Sequence, residues 1–312
     1  MPATNATTAD NVKLGVAVII GTDFALSLGD AAIKLLSADF VLWQIFILRS
    51  LIAIPVLVAL IQLRGKGELR LPRALGWTAL RSLLLTLMWV AFYAGLTHLA
   101  LGIAAAVYYT LPIFITLFAA LFIGDRIDLQ GWGAILLGFA GVLLVLNPDA
   151  SSFNAYALLP LLSAILYALA MILTRTKCRD EHPLILSLSL NCFFVIVGAV
   201  ATLALAVAGP TGNGTPAAAF LFGAWSAMGP TEWLSMALLS VATIIGSIGA
   251  AIAYQVAPPA TVATFDFSYV GLASLWGILI FGERPNAVAI AGMVMIVVAG
   301  ILAVRRKPKP AA

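Results

Sequence analysis

Ten apolar stretches, each long enough to cross a bilayer or close to it, fill the chain almost end to end. They run over residues 12–36, 40–63, 74–98, 101–123, 131–147, 155–174, 184–208, 232–255, 259–281 and 287–304. A helix needs about 20 such residues to span the hydrocarbon layer, and the connections leave no segment for a separate soluble domain. Hydrophobic residues make up 62% of the chain and charged ones 10%, a balance that a soluble fold does not carry. The fold class expected is therefore an all-α membrane protein with ten transmembrane helices.

The basic residues set the orientation. Of the 17 lysines and arginines, 13 fall on one side if both termini are cytoplasmic: Lys13, the run Arg64, Lys66, Arg70 and Arg73, Arg126, the run Arg175, Lys177 and Arg179, and four in the tail "RRKPKP". Arg284 alone falls in an outer loop, while Lys34, Arg49 and Arg81 lie within spans. That bias is the positive-inside pattern, and it accounts for the net charge of +4 without a nucleic-acid partner. Residues 1–11 and 305–312 then read as cytoplasmic tails. The first stretch is too long and too charged for a cleaved signal and is read as retained.

A repeat is visible at an offset of 158. "YYTLPIFITLFAALFIGDR" (108–126) lies over "DFSYVGLASLWGILIFGER" (266–284), each ending in Gly, an acid and Arg and each followed by a span rich in small residues. Two five-span units, 12–147 and 155–304, account for it. Because five is odd, the second unit enters the membrane upside down relative to the first, and two inverted halves around a central cavity are a transporter architecture.

The Gly124-Asp125-Arg126 and Gly282-Glu283-Arg284 turns, Pro112 in the fourth span and Arg49 in the second are together similar to the drug/metabolite transporter superfamily, in its ten-span EamA-type members. The chain resembles bacterial aromatic amino-acid exporters most within that group. The resemblance covers essentially the whole chain and implies export of amino acids, aromatic or apolar ones included, through the bacterial cytoplasmic (inner) membrane. The second half has no counterpart of Pro112 or Arg49.

Intramembrane charges mark the site. On the first helix Asp23, Ser27, Asp30 and Lys34 fall within an arc of roughly 60° at about 100° per residue, a stripe roughly 16 Å long. Charges at that depth face protein or water rather than lipid. Asp30 and Lys34 are spaced as a helix-surface pair, and Arg49 is the expected partner of Asp23 or Asp30. Asp266 stands at the repeat position of Tyr108, flanked by Phe265 and Phe267; Tyr109, Trp89 and Tyr93 add rings. Carboxylates, bases and aromatic walls suit a zwitterionic small molecule. Asp23 or Asp266 could exchange a proton with substrate, and Pro112 could kink its helix as a gate.

Neither Cys178 nor Cys192 sits in a disulfide or metal pattern, and no cofactor or metal is expected. The absence of Walker, HExxH and G-x-S-x-G motifs argues against an enzyme. An intramembrane aspartyl enzyme would use buried acids, but Ser27 breaks its G-x-G-D pattern. A channel, or export of other metabolites or drugs, is the alternative.

Overall fold

The computed structural model describes residues 11–63, 72–123, 129–146, 155–209, 215–257, 262, 265–266 and 268–304. Every regular element among them is helical: α1 (Val12–Leu36), α2 (Leu42–Leu63), α3 (Leu75–Leu96), α4 (Leu101–Tyr108), α5 (Leu111–Ile123), α6 (Leu129–Leu146), α7 (Leu158–Thr176), α8 (Pro183–Ala208), α9 (Pro216–Phe222), α10 (Pro230–Val256), α11 (Ser268–Phe281) and α12 (Ala287–Val304). Seven described segments are long and apolar enough to cross a membrane, counting α4 with α5 as one. The expected spans 131–147, 259–281 and 287–304 correspond to the shorter helices α6, α11 and α12. Residues 1–10 and 305–312 of the tails, the Arg64–Arg70 run and the Gly124-Asp125-Arg126 turn lie outside the described residues.

Polarity is inverted relative to a water-soluble bundle. Leu129, Val207 and Leu203 are 89%, 83% and 67% exposed, whereas Asp23, Asp30, Arg49, Arg81 and Asp266 are at most 3% exposed. Apolar side chains on the outside and ionisable groups within is the distribution a hydrocarbon solvent selects.

Local chemistry sets the helix ends. The Asn11 side chain accepts from Leu14 N at 3.1 Å to start α1, and Pro183, Pro216 and Pro230 occupy first-turn positions where the missing N–H costs nothing. Pro112 does break its span: the helix stops at Tyr108 and resumes at Leu111, as expected where the ring excludes the carbonyl four residues back. At the end of α11, Gly282 takes φ +63°, a left-handed conformation favoured by glycine. This turn gives the Gly-acid-Arg motif its physical meaning, because it folds Glu283 back against the bundle, its N–H bonding Gly277 O at 3.1 Å.

The long connection before α10 is ordered over residues 215–229. It folds into α9 and an extended run pinned by Gln44, whose Nε2 donates to Ser226 O at 2.8 Å and whose Oε1 accepts from Ser226 N at 2.9 Å.

The principal packing partners are α1 with α10 and α11, α2 with α8 and α10, α3 with α7 and α8, α7 with α4 and α5, and α6 with α12. Small residues allow the close approaches. A Cβ on Gly141 would stand 2.9 Å from Gly292 O and 3.0 Å from Ile296 N, so α6 and α12 meet backbone to backbone. Gly141→Leu is expected to destabilise the protein by about 1–3 kcal/mol, read as a lower unfolding temperature in detergent. Wild-type stability in that variant would show that the two helices are free to separate.

Candidate functional site

Two adjoining cavities occupy the core. The larger holds about 600 Å³ of empty space, open mouth included, and is lined by Asp30, Arg49, Arg81, Trp89, Tyr93 and Tyr167 among apolar residues of α1, α7, α8 and α10. The smaller, about 370 Å³ on the same basis, is lined by Asp23, Asp266, Tyr108, Tyr109, Tyr167 and Tyr269. Leu26, Trp89 and Tyr167 belong to both walls.

Each carboxylate is held by hydroxyl donors. Asp30 accepts from Tyr93 OH at 2.7 Å on Oδ1 and from Tyr269 OH on Oδ2. Asp266 accepts from Tyr109 OH at 3.2 Å and Tyr254 OH at 3.0 Å. Asp23 accepts from Ser268 Oγ at 2.6 Å and shares the wall of the smaller cavity with Asp266. The aromatic ring system around them is continuous: Trp89 stacks on Tyr93 with centroids 5.1 Å apart, and Tyr109 stacks on Tyr269 at 5.2 Å.

Several expectations are corrected. Arg49 forms no ion pair with Asp23 or Asp30 among the described residues, where the one pair is Lys34 with Glu283. Its guanidinium lies instead between Phe46 and Phe194, 4.8 and 4.6 Å from their centroids, where cation–π attraction adds to the longer-range charge of Asp30. Lys34 does not pair with Asp30: it bonds Glu283 Oε1 at 2.7 Å and Leu99 O at 3.0 Å, away from both cavities. Glu283 also accepts from Leu101 N at 2.9 Å, capping α4. Ser27 lines neither cavity but accepts from Trp276 Nε1 at 3.1 Å, a packing contact. Phe265 is 41% exposed and turns away from Asp266, while Phe267 lies outside the described residues. Tyr108 does line the smaller cavity, but Tyr109 is the residue that donates to Asp266.

Sequence reasoning gave no role to Arg81, Tyr167, Tyr254 and Tyr269. Arg81 carried a signal, being as deep in its span as Arg49. The tyrosines carried none, since a single ring on an apolar helix is ordinary packing. Near Arg81, Cys178 in the α7–α8 connection is buried against Thr78, and burial pushes its thiol up, in keeping with an inert cysteine.

An all-helical bundle, apolar outside and enclosing a charged, aromatic-walled cavity, defines a membrane transporter of small solutes. Residues 13–147 match the EamA-like transporter family. The riboflavin transporter of Rhizobium johnstonii is 30% identical over 240 residues, 75% of this chain and 74% of the relative, and the chain belongs to the EamA-like family of multi-pass membrane transporters. The pseudopaline exporter of Pseudomonas aeruginosa is 27% identical over 96% of this chain and 98% of its own. The S-adenosylmethionine uptake transporter of Rickettsia bellii is 23% identical over 95% of each. A crystal structure at 19% identity superposes with a TM-score of 0.63, covering 94% of this chain and 96% of that one, which shows the same fold.

Proposed function

We propose that this protein exports amino acids, aromatic and apolar ones included, and related small metabolites across the bacterial inner membrane. Transport proceeds by alternating access between two inverted five-helix halves, residues 12–147 and 155–304, with both termini cytoplasmic. The observation that carries the reading is the pair of adjoining cavities, with guanidinium groups in one and two carboxyls in the other, between aromatic walls. A zwitterion has its carboxylate met at one end and its ammonium at the other.

Helix packing supports the inverted halves. A five-span shift maps α1 on α7, α2 on α8, α3 on α10, α4 and α5 on α11, and α6 on α12. Under it the α1–α10 contact becomes α7–α3, α1–α11 becomes α7 with α4 and α5, and α2–α10 becomes α8–α3, while α2–α8 and α6–α12 map onto themselves. Each of these contacts is present.

The presence of two buried acids, Asp23 and Asp266, on one cavity wall supports proton exchange with substrate, since like charges sharing a site favour keeping one proton between them. Asp266→Asn is expected to insert normally, because Asn still accepts from a tyrosine, yet to lower flux by roughly tenfold and to abolish its response to a pH gradient. Wild-type flux and pH response in the variant would remove Asp266 from the site.

The test of the whole reading is proteoliposome flux with a panel of labelled amino acids, with and without a pH gradient. Saturation and counterflow are expected. Unsaturable conductance would select a channel, and transport of no amino acid would overturn the assignment. A second reading, carriage of a flat aromatic metabolite, is favoured by the stacked Trp89–Tyr93 wall, and adding a flavin to the panel tests it.

A further inference from the structure

Two guanidinium groups line the larger cavity, and each keeps one buried nitrogen without an acceptor among the described residues. Arg49 is 3% exposed and Arg81 1%, yet Arg49 Nε and Arg81 Nη1 have no hydrogen-bond acceptor among the described residues. A buried charged donor left unmade costs more than an ordinary hydrogen bond returns. Asp30, on the same wall, already accepts from a tyrosine on each oxygen. With one acid against two guanidinium groups, the lining carries an excess of positive charge.

Both groups are fixed in place. The flanking rings of Phe46 and Phe194 cover the faces of the Arg49 guanidinium, leaving its N–H edge for a ligand. Arg81 is anchored through Nε, which donates to Thr174 Oγ1 at 2.6 Å, leaving Nη1. The two also stand at different depths. Arg49 is seven residues, about 10 Å, from the start of α2, and Arg81 six residues, about 9 Å, from the start of α3. Consecutive spans begin on opposite faces, so in a layer of about 30 Å their backbones are separated by roughly 10 Å along the normal.

We infer that the larger cavity is a two-point site for an aminodicarboxylic acid, one carboxylate on Arg49 and the other on Arg81. The ammonium group then lies toward Asp23 and Asp266, across the wall formed by Trp89 and Tyr167. This assignment rests on the cavity being the transport site proposed above and narrows its substrate class. One carboxylate leaves one guanidinium unmatched; two match both and offset the excess positive charge.

The experiment compares α-aminoadipate with norleucine, similar in length but with one carboxylate, as inhibitors of labelled amino-acid flux in proteoliposomes. Wild-type protein is expected to prefer aminoadipate by roughly tenfold or more, the worth of one charge-assisted hydrogen-bonded contact. Arg81→Gln should collapse the ratio toward one, and Arg81→Lys, which keeps the charge, should retain part of it. The ratio does not depend on how much folded protein each variant yields. Should Arg81→Gln give none, the wild-type preference, repeated as a shift in unfolding temperature with each ligand, still decides. Equal inhibition by the two acids in the wild type, or an unchanged ratio in Arg81→Gln, overturns the two-point site and leaves amino-acid transport standing. Absence of any amino-acid flux beside measurable flux of another solute overturns both.

Discussion

Glu283→Ala is expected to speed labelling of the Asp30 end of the larger cavity by roughly tenfold to hundredfold. Glu283 joins three elements just beyond Ile33, the last α1 residue lining that cavity, accepting from Lys34 Nζ of α1 and from Leu101 N at the start of α4 while Gly282 holds it at the end of α11. The side chains of Lys34 and Glu283 are only 18% and 14% exposed, so solvent screens the pair less than a surface ion pair. A hydrogen bond to a charged group contributes about 1.5–3 kcal/mol, and losing one such contact from the closed state alone shifts its population by the stated factor. The measurement is the maleimide rate at Ile33→Cys, a buried position lining the larger cavity, in a background with both native cysteines changed to serine. Exchanging the two charges, Lys34→Glu with Glu283→Lys, should restore the ion pair but leave Leu101 N without its acceptor, so rescue is expected to be partial. An unchanged labelling rate in Glu283→Ala would mean that this contact does not hold the end shut.

The largest stability effect is expected at Asp30. Leucine there would leave the Tyr93 and Tyr269 hydroxyls, in residues 2% and 3% exposed, without acceptors, at about 1–3 kcal/mol each. It would also remove the carboxylate whose charge interacts with Arg49. Together these amount to about 3–6 kcal/mol, a large share of the 5–15 kcal/mol that holds a typical domain together. Asp30→Leu should therefore yield little monodisperse protein. Asp30→Asn, which keeps one acceptor, should yield more. Adding Tyr93→Phe and Tyr269→Phe to Asp30→Leu should recover part of the loss by removing the orphaned hydroxyls. Unfolding of Asp30→Leu within about 1 kcal/mol of wild type would show that the network is energetically idle.

The helices and the polar stripe of α1 were legible because apolar length and the period of 3.6 act within one segment. Asp23 and Asp30 are buried, and the break before Pro112 falls where the ring dictates. What could not be read was which helix stands opposite which. Lys34 finds Glu283, 249 residues on, rather than Asp30 four residues back, and Arg49 finds two phenylalanine rings in place of an acid. Periodicity names the face a residue occupies, but the neighbour across that face is a property of three-dimensional packing. Tyr108, the repeat equivalent of Asp266, lines the smaller cavity with it, whereas the donor to Asp266 is Tyr109, which repeat spacing does not identify.

The pairing of α1 with residues far along the chain bears on how the protein is made. Helix α1 carries Asp23, Ser27 and Asp30, whose partners Ser268, Trp276 and Tyr269 follow 245, 249 and 239 residues later. At a synthesis rate of about 5–20 residues per second, that leaves a wait of roughly ten to fifty seconds. Through that interval an acidic segment must be kept at the insertion machinery or at the lipid boundary before its docking surface exists.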